Sequence, residues 1–98
     1  MDETKERIEK IQGFINTNIE IINGKGISEQ EKEISYMLIQ ENIDTLIKLH
    51  SESVDLGQKE YIKKKIIVVK RKLFNYLAQV NNWDKRIFDQ YIRIVDFY

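Results

Sequence analysis

The stretch that most constrains the fold is residues 58–80, QKEYIKKKIIVVKRKLFNYLAQV, which is both the most apolar and the most basic part of the chain. Its apolar residues recur every three or four positions, at Ile62, Ile66, Val69, Leu73, Tyr76, Leu77 and Val80. This spacing lines one side of an α-helix of about six turns. We therefore predict a long amphipathic helix that other elements must cover.

The run from Ile66 to Val69 is β-branched and would also suit a strand. Helical spacing continues on both sides of it, and the propensity penalty is at most about 0.7 kcal/mol per residue. The chain has no proline and only four glycines, with 33% charged and 42% hydrophobic residues, which is typical of long amphipathic helices. We predict an all-α fold in which residues 1–98 form a single helical domain.

Three further helices are expected around this one. The first begins near Asp2 or Thr4 and ends at the glycines of residues 23–26. Its buried side is a row of isoleucines, Ile8, Ile11, Ile15, Ile19 and Ile22. A second helix should start at Ser28, which forms a capping box with Glu31, and run to about Leu49.

Residues 51–57 are predicted to be a connection, and Asn82 is predicted to cap a last helix that continues to the end of the chain. The apolar side of that helix is expected to contain Ile87, Phe88, Tyr91, Ile92, Val95 and Tyr98. Four helices joined by short links favour an antiparallel four-helix bundle with up-down-up-down topology.

The sequence contains no recognisable catalytic pattern. There is no cysteine, and His50 is the only histidine, at the predicted end of a helix where a structural role suffices. Carboxylates at positions 29, 31 and 33 are spaced by two residues, so they do not face each other on a helix as metal ligands would. We expect no enzyme activity, no cofactor, no metal and no small-molecule substrate.

The basic run is the strongest local signal. Residues 59–72 contain seven Lys/Arg and one glutamate, although the whole chain has a net charge of zero. Three interpretations remain open: a solvated or internally paired face, a contact with a protein or membrane surface, and nucleic-acid binding, which would normally need a basic domain. The candidate partner-binding cations are Lys63, Lys64, Lys70, Arg71 and Lys72.

Aromatic residues are concentrated in the last quarter of the chain. Trp83, Phe97 and Tyr98 are the least easily buried of them, because they lie in the predicted link or at the terminus. Exposed aromatic side chains commonly anchor protein interfaces. We therefore add these three to the candidate partner-binding residues.

The first residues, MDETKERIEK, are charged, and no stretch approaches the ~18 uninterrupted apolar residues of a membrane span. These features predict a cytoplasmic protein. The basic run leaves open a peripheral contact with the inner membrane surface.

The segment Leu73-Phe74-Asn75-Tyr76-Leu77, followed by the polar link Asn81-Asn82 and a final amphipathic helix, resembles the enterocin A-type immunity proteins of class IIa (pediocin-like) bacteriocins. The resemblance implies an antiparallel four-helix bundle without catalysis. It further implies a cytosolic protein that protects a producing bacterium by binding a mannose phosphotransferase permease engaged by the bacteriocin and keeping the pore closed.

A different class of function remains open from the residues alone. A small phage- or plasmid-encoded helical regulator could inhibit a protein or nucleic-acid complex through its basic third helix. It could instead use the acidic residues of the second helix as a nucleic-acid mimic, namely Glu29, Glu33, Glu41 and Asp44. A third interpretation is a helical subunit that dimerises through leftover apolar surface.

Overall fold

A computed structural model describes residues 3–79 and 83–98 of the chain. Within these ranges it contains four α-helices and no β-strand. The helices are α1 (Glu3–Asn23), α2 (Glu29–Glu52), α3 (Leu56–Gln79) and α4 (Lys85–Ile94). The all-α prediction is confirmed, including the helical conformation of the β-branched run in α3.

Ion pairs between α2 and α4 give the relative directions of the helices. Arg86 Nη1 lies 2.6 Å from Glu33 Oε1. Further along both helices in the direction of the chain, Arg93 of α4 pairs with Asp44 of α2. These two helices therefore run parallel, while the short links at residues 24–28 and 53–55 reverse the chain. The predicted up-down-up-down antiparallel bundle is confirmed, and α4 contacts α2 and α3.

The core is built mainly from isoleucine contributed by all four helices. The five predicted isoleucines of α1 are all buried. The predicted stripe of α3 is buried from Ile62 to Tyr76, whereas Leu77 is half-buried and Val80 lies outside the described residues. Each fully buried side chain of this size contributes roughly 1.5–3 kcal/mol. The free energy gained by this burial exceeds the small helix-propensity cost of the β-branched run, which explains why the run is helical.

Local signals fix the start of α2. Gly24 and Gly26 follow the last residue of α1, and Gly26 adopts a φ of 75°, which glycine reaches without steric cost. The Ser28 hydroxyl then accepts a hydrogen bond from the Glu31 amide at 3.1 Å and donates one to the Glu31 carboxylate at 3.2 Å. The predicted stop and cap are confirmed.

The connection predicted at residues 51–57 is shorter than expected. α2 continues to Glu52 and α3 begins at Leu56. Asp55 explains the early start, because its carboxylate accepts from the Gln58 amide at 3.1 Å and so supplies a cap for α3.

The prediction for the last helix is wrong in its extent and its buried face. Asn82 lies outside the described residues, and the residue that caps α4 is Asp84. The helix ends at Ile94, with Ile87, Gln90 and Ile94 buried. Tyr98 is exposed beyond the end of the helix, and Ile92 is about half exposed on its surface. The face turned inward is shifted because α4 packs in the angle between α2 and α3.

Among the helices that the structure describes, none combines the length and the apolar character needed to cross a bilayer.

Candidate partner-binding groove

The basic run of α3 divides into two groups of cations. Four of them are engaged within the molecule: Lys59 with the His50 carbonyl, Lys63 with Glu60, Lys65 with Glu9, and Lys70 with the residues after α4. The other three, Lys64, Arg71 and Lys72, are exposed and have no carboxylate within 4.0 Å in the described parts of the chain. We call these three residues the basic rim.

Lys70 holds the chain where α4 ends. Its ammonium donates to the Phe97 carbonyl oxygen and lies 3.5 Å from that of Val95. The same ammonium sits 5.1 Å from the centre of the Tyr98 ring. A cation at the carboxyl end of a helix satisfies carbonyl groups that have no partner in the helix itself. This predicted partner-binding lysine is therefore engaged in an intramolecular contact.

Replacing Lys70 with methionine should lower the free energy of unfolding by about 2 kcal/mol, because the carbonyls after α4 lose hydrogen bonds to a charged donor. Urea denaturation followed by circular dichroism measures the loss. Lys72→Met on the same helix is the matched control and should stay within about 0.5 kcal/mol of the parent. Equal stability of the two variants would show that Lys70 does not hold this segment.

Phe97, another predicted partner-binding residue, packs against the end of α2. Its ring meets the His50 imidazole edge to face, with ring centres 5.0 Å apart. Burial lowers the pKa of His50, and the nearby charges of Lys59 and Lys63 lower it further. The imidazole is therefore held neutral beside Phe97, and Phe97 itself is half-buried rather than free for a partner.

Stability should fall as the pH drops below about 6.5, the ordinary pKa of histidine. Below that pH the unfolded imidazole binds a proton, while the folded His50 stays neutral until its lowered pKa is reached. Thermal unfolding at pH 8, 6.5 and 5 tests this loss of stability, with His50→Gln as the reference. An equal fall of the melting temperature with pH in the parent and in His50→Gln would contradict it.

An aromatic groove opens between α3 and α4. It encloses about 260 Å³ and is lined by Phe74, Leu77, Ala78, Trp83, Phe88 and Tyr91, the residues we call the aromatic groove. The rings of Trp83 and Phe88 lie 4.7 Å apart and those of Phe74 and Tyr91 lie 6.1 Å apart. Phe74 is 55% exposed and Trp83 is 65% exposed, so large apolar surface remains open to a partner.

A second cavity of about 330 Å³ continues the groove toward the basic rim. It is lined by Lys70, Arg71, Phe74, Asn75 and Tyr91. Phe74 and Tyr91 border both cavities, so the two lie next to each other along α3 and α4. Trp83 lines the aromatic groove, and Arg71 lines the second cavity.

The structure brings some of the predicted residues together and leaves others apart. Arg71 lines the second cavity, and Trp83 lines the adjacent aromatic groove. Tyr98 is exposed and stacks with Lys70, whereas Lys63 pairs with Glu60 and lies near His50. Lys64 and Lys72 project from α3 as parts of the basic rim.

Most residues of the aromatic groove were not predicted to bind a partner. Phe88 and Tyr91 were assigned to the core, and Phe74 was not singled out as exposed. A signal was present, since Leu73 and Tyr76 belong to the buried stripe of α3. An aromatic residue between them at position 74 must then point away from the core.

Asp84 fixes the position of the chain beside Trp83. Its Oδ2 accepts hydrogen bonds from the hydroxyls of Tyr36 at 2.7 Å and Tyr76 at 2.8 Å. Its Oδ1 accepts from the Ile87 amide at 3.2 Å. One carboxylate thus joins α2, α3 and the start of α4, and we call this arrangement the Asp84 cluster.

The pKa values of both tyrosines reflect this cluster. Burial, the hydrogen bond to Asp84 and the negative charge of that carboxylate raise the pKa of Tyr36 to about 12. The same three causes raise the pKa of Tyr76. Both phenols therefore remain protonated donors near neutral pH, which is the state that binds the carboxylate.

Within the described residues, only some of the acidic residues of α2 are unpaired and available to a partner. Glu33 and Asp44 pair with arginines of α4, while Glu29 and Glu41 are exposed. Two of the four carboxylates proposed for nucleic-acid mimicry are thus already paired with cations of α4. Across residues 3–79 and 83–98, no group of three or more His, Cys, Asp or Glu side chains could hold a metal ion.

A further cavity of about 430 Å³ lies between α1 and α2, with Phe14 and Leu38 among its lining residues. The carboxamides of Asn18 and Asn42 form part of the lining and donate to backbone carbonyls of their own helices at 2.8 and 2.7 Å. This cavity has one exposed aromatic side chain, Phe14, compared with two in the aromatic groove.

No protein-family model, curated protein or solved structure matches this chain.

Proposed function

We propose that this protein is a non-catalytic binding protein and that the aromatic groove is its partner-binding surface. The observation that carries the proposal is the pair of large exposed aromatic side chains, Phe74 and Trp83, in one groove. Aromatic anchors set in pockets supply much of the binding energy of protein interfaces. Phe74 is positioned by α3 and Trp83 by the neighbouring Asp84 cluster. Little conformational entropy of these side chains would therefore be lost on binding.

Within that class, we propose a cytoplasmic immunity protein that protects its producer from a class IIa bacteriocin at the mannose permease. The antiparallel four-helix bundle agrees with the fold that the resemblance implies. The segment from Leu73 to Leu77 supports it in a second way. Its Leu73 and Tyr76 pack in the core, whereas Phe74 and Asn75 face the groove.

Expression of the chain in a bacteriocin-sensitive lactic acid bacterium tests this function. Growth is followed against a panel of class IIa peptides, with the empty vector as control. We expect survival on one or a few peptides, because a groove with defined anchors selects its partner. Killing by every peptide, at full expression of the folded chain, would contradict immunity.

The alternative is a small phage- or plasmid-encoded helical regulator that inhibits a protein or nucleic-acid complex. The unpaired basic rim favours direct contact by α3 over mimicry by α2, where Glu33 and Asp44 are already paired. Retention on immobilised DNA that weakens steeply with salt would support this alternative. Absence of retention at low salt would exclude direct DNA binding.

A further inference from the structure

We infer that the aromatic groove binds an acidic amphipathic helix of its partner, with the partner's carboxylates at Arg71 and Lys64 of the basic rim. The inference rests on the proposed function of the groove as the partner-binding surface. It goes beyond that proposal by specifying the conformation and the charge of the bound segment.

The shape of the groove favours a helix over an extended peptide. It runs along the junction of two antiparallel helices, α3 and α4, and no strand in the described residues offers an edge for β-pairing. An amphipathic helix laid in such a groove inserts apolar side chains spaced at i, i+3 or i+4, and i+7. From Arg71 to Ala78 the groove and the second cavity together cover eight residues of α3, or about 10 Å along the helix axis. About two turns of a partner helix, enough for anchors at i, i+3 or i+4, and i+7, therefore fit this length.

The charge of the rim determines which helix fits. Lys64 and Arg71 are seven residues apart and thus lie on the same side of α3, about 10 Å from each other. Both lack carboxylates within 4.0 Å among residues 3–79 and 83–98, as does Lys72. Acidic side chains two turns apart on the partner would complement the first pair.

A membrane surface fits these observations less well. Lipid-binding polybasic clusters usually contain four to eight cations, whereas the rim has three, since Lys70 and Lys65 are engaged within the molecule. The apolar residues line a groove, with the rings of Trp83 and Phe88 packed against each other. Membrane-bound helices instead present a convex apolar face to the lipid.

The single tryptophan of the chain provides the probe, because Trp83 lies in the groove and is 65% exposed. Two display libraries of 14-residue helices are selected against the full chain. Both randomise the apolar anchor positions among large apolar residues, and their polar faces are glutamate in one library and lysine in the other. Recovered peptides without tryptophan are then titrated while Trp83 emission is recorded.

We expect binders from the glutamate library that shift Trp83 emission to shorter wavelength and saturate. Arg71→Glu should weaken them at least tenfold, whereas Lys10→Glu, the same change of charge at an exposed position of α1, should leave the affinity within twofold. Recovery from the lysine library alone, or from neither library, would overturn the inference. So would a Trp83 shift with phosphatidylglycerol vesicles in the absence of any glutamate-library binder.

This titration is independent of bacteriocin protection, so the two proposals fail separately. Acidic helices that bind a chain which protects against no peptide would refute the immunity function alone. Protection that needs Phe74 but is unchanged by Arg71→Glu would refute the acidic helix alone.

Discussion

Replacing Asp84 with alanine is expected to lower the free energy of unfolding by about 3–4 kcal/mol. The carboxylate caps α4, a contribution of about 1 kcal/mol, and accepts hydrogen bonds from Tyr36 and Tyr76. A hydrogen bond to a charged group contributes about 1.5–3 kcal/mol. The half-buried Tyr36 hydroxyl can bond to water instead, so the loss falls mainly on the buried Tyr76 phenol and, with the cap, amounts to about 3–4 kcal/mol. Urea denaturation followed at 222 nm measures the change.

Asp89→Ala is the control for Asp84→Ala. Asp89 lies on the same helix and, among the described residues, pairs only with exposed Lys85, so its loss should cost about 0.5 kcal/mol or less. Alkaline titration of tyrosine absorbance adds a local readout. In Asp84→Asn the pKa of Tyr36 should fall from about 12 toward its ordinary value of 10, because the negative charge is removed. An unfolding free energy for Asp84→Ala within 1 kcal/mol of the parent would contradict the role of the cluster.

Replacing Phe74 with serine should abolish protection by the chain. Truncating an interface anchor costs 2 kcal/mol or more of binding free energy, which corresponds to about thirtyfold weaker association. Phe74 borders both the aromatic groove and the second cavity, so its loss removes contacts in both. The measurement is the bacteriocin concentration that halves growth of cells expressing each variant at equal level.

Phe14→Ser is the matched control for this experiment. Phe14 is 57% exposed and Phe74 is 55% exposed, so the two substitutions remove similar exposed surface. Phe14 lies in α1, which has no contact with α4 in the described residues. We expect full protection from Phe14→Ser. Equal protection by both variants would remove the groove from the mechanism.

Periodicity predicted α1 and α3 well because each buries one continuous stripe. The isoleucines of α1 recur at three- or four-residue spacing, and burial decided the conformation of the β-branched run in α3. The last helix was predicted less well, since its apolar residues suggested a different inward face. That face is set by tertiary contacts that spacing does not encode, namely the cap by Asp84 and the pairs of Arg86 and Arg93 with α2.

Gln90 illustrates why the inward face of α4 was missed. It is buried, and its side-chain oxygen accepts from Arg93 Nη1 at 2.7 Å. A buried glutamine is tolerated because its oxygen has this partner. Sequence spacing alone favours the neighbouring apolar residues, so Ile92 was expected inside where the structure has Gln90.

The candidate site was predicted in part, and adjacent residues show the limit. Lys70 and Arg71 are equivalent in the sequence pattern, yet a rotation of 100° about α3 separates them. Lys70 reaches the carbonyls after α4, whereas Arg71 remains free in the second cavity. The position of α4 therefore decides that Lys70 stabilises the fold while Arg71 stays available to a partner.

Photo-crosslinking from position 74 is the most direct test of the groove as the partner-binding surface. A photoreactive phenylalanine analogue replaces Phe74 in cells challenged with the bacteriocin, and the same analogue replaces Phe14 in parallel. Our account predicts a crosslink to one membrane permease subunit from position 74 and none from position 14. Crosslinks from position 14 alone, or from neither position in cells that are protected, would contradict it.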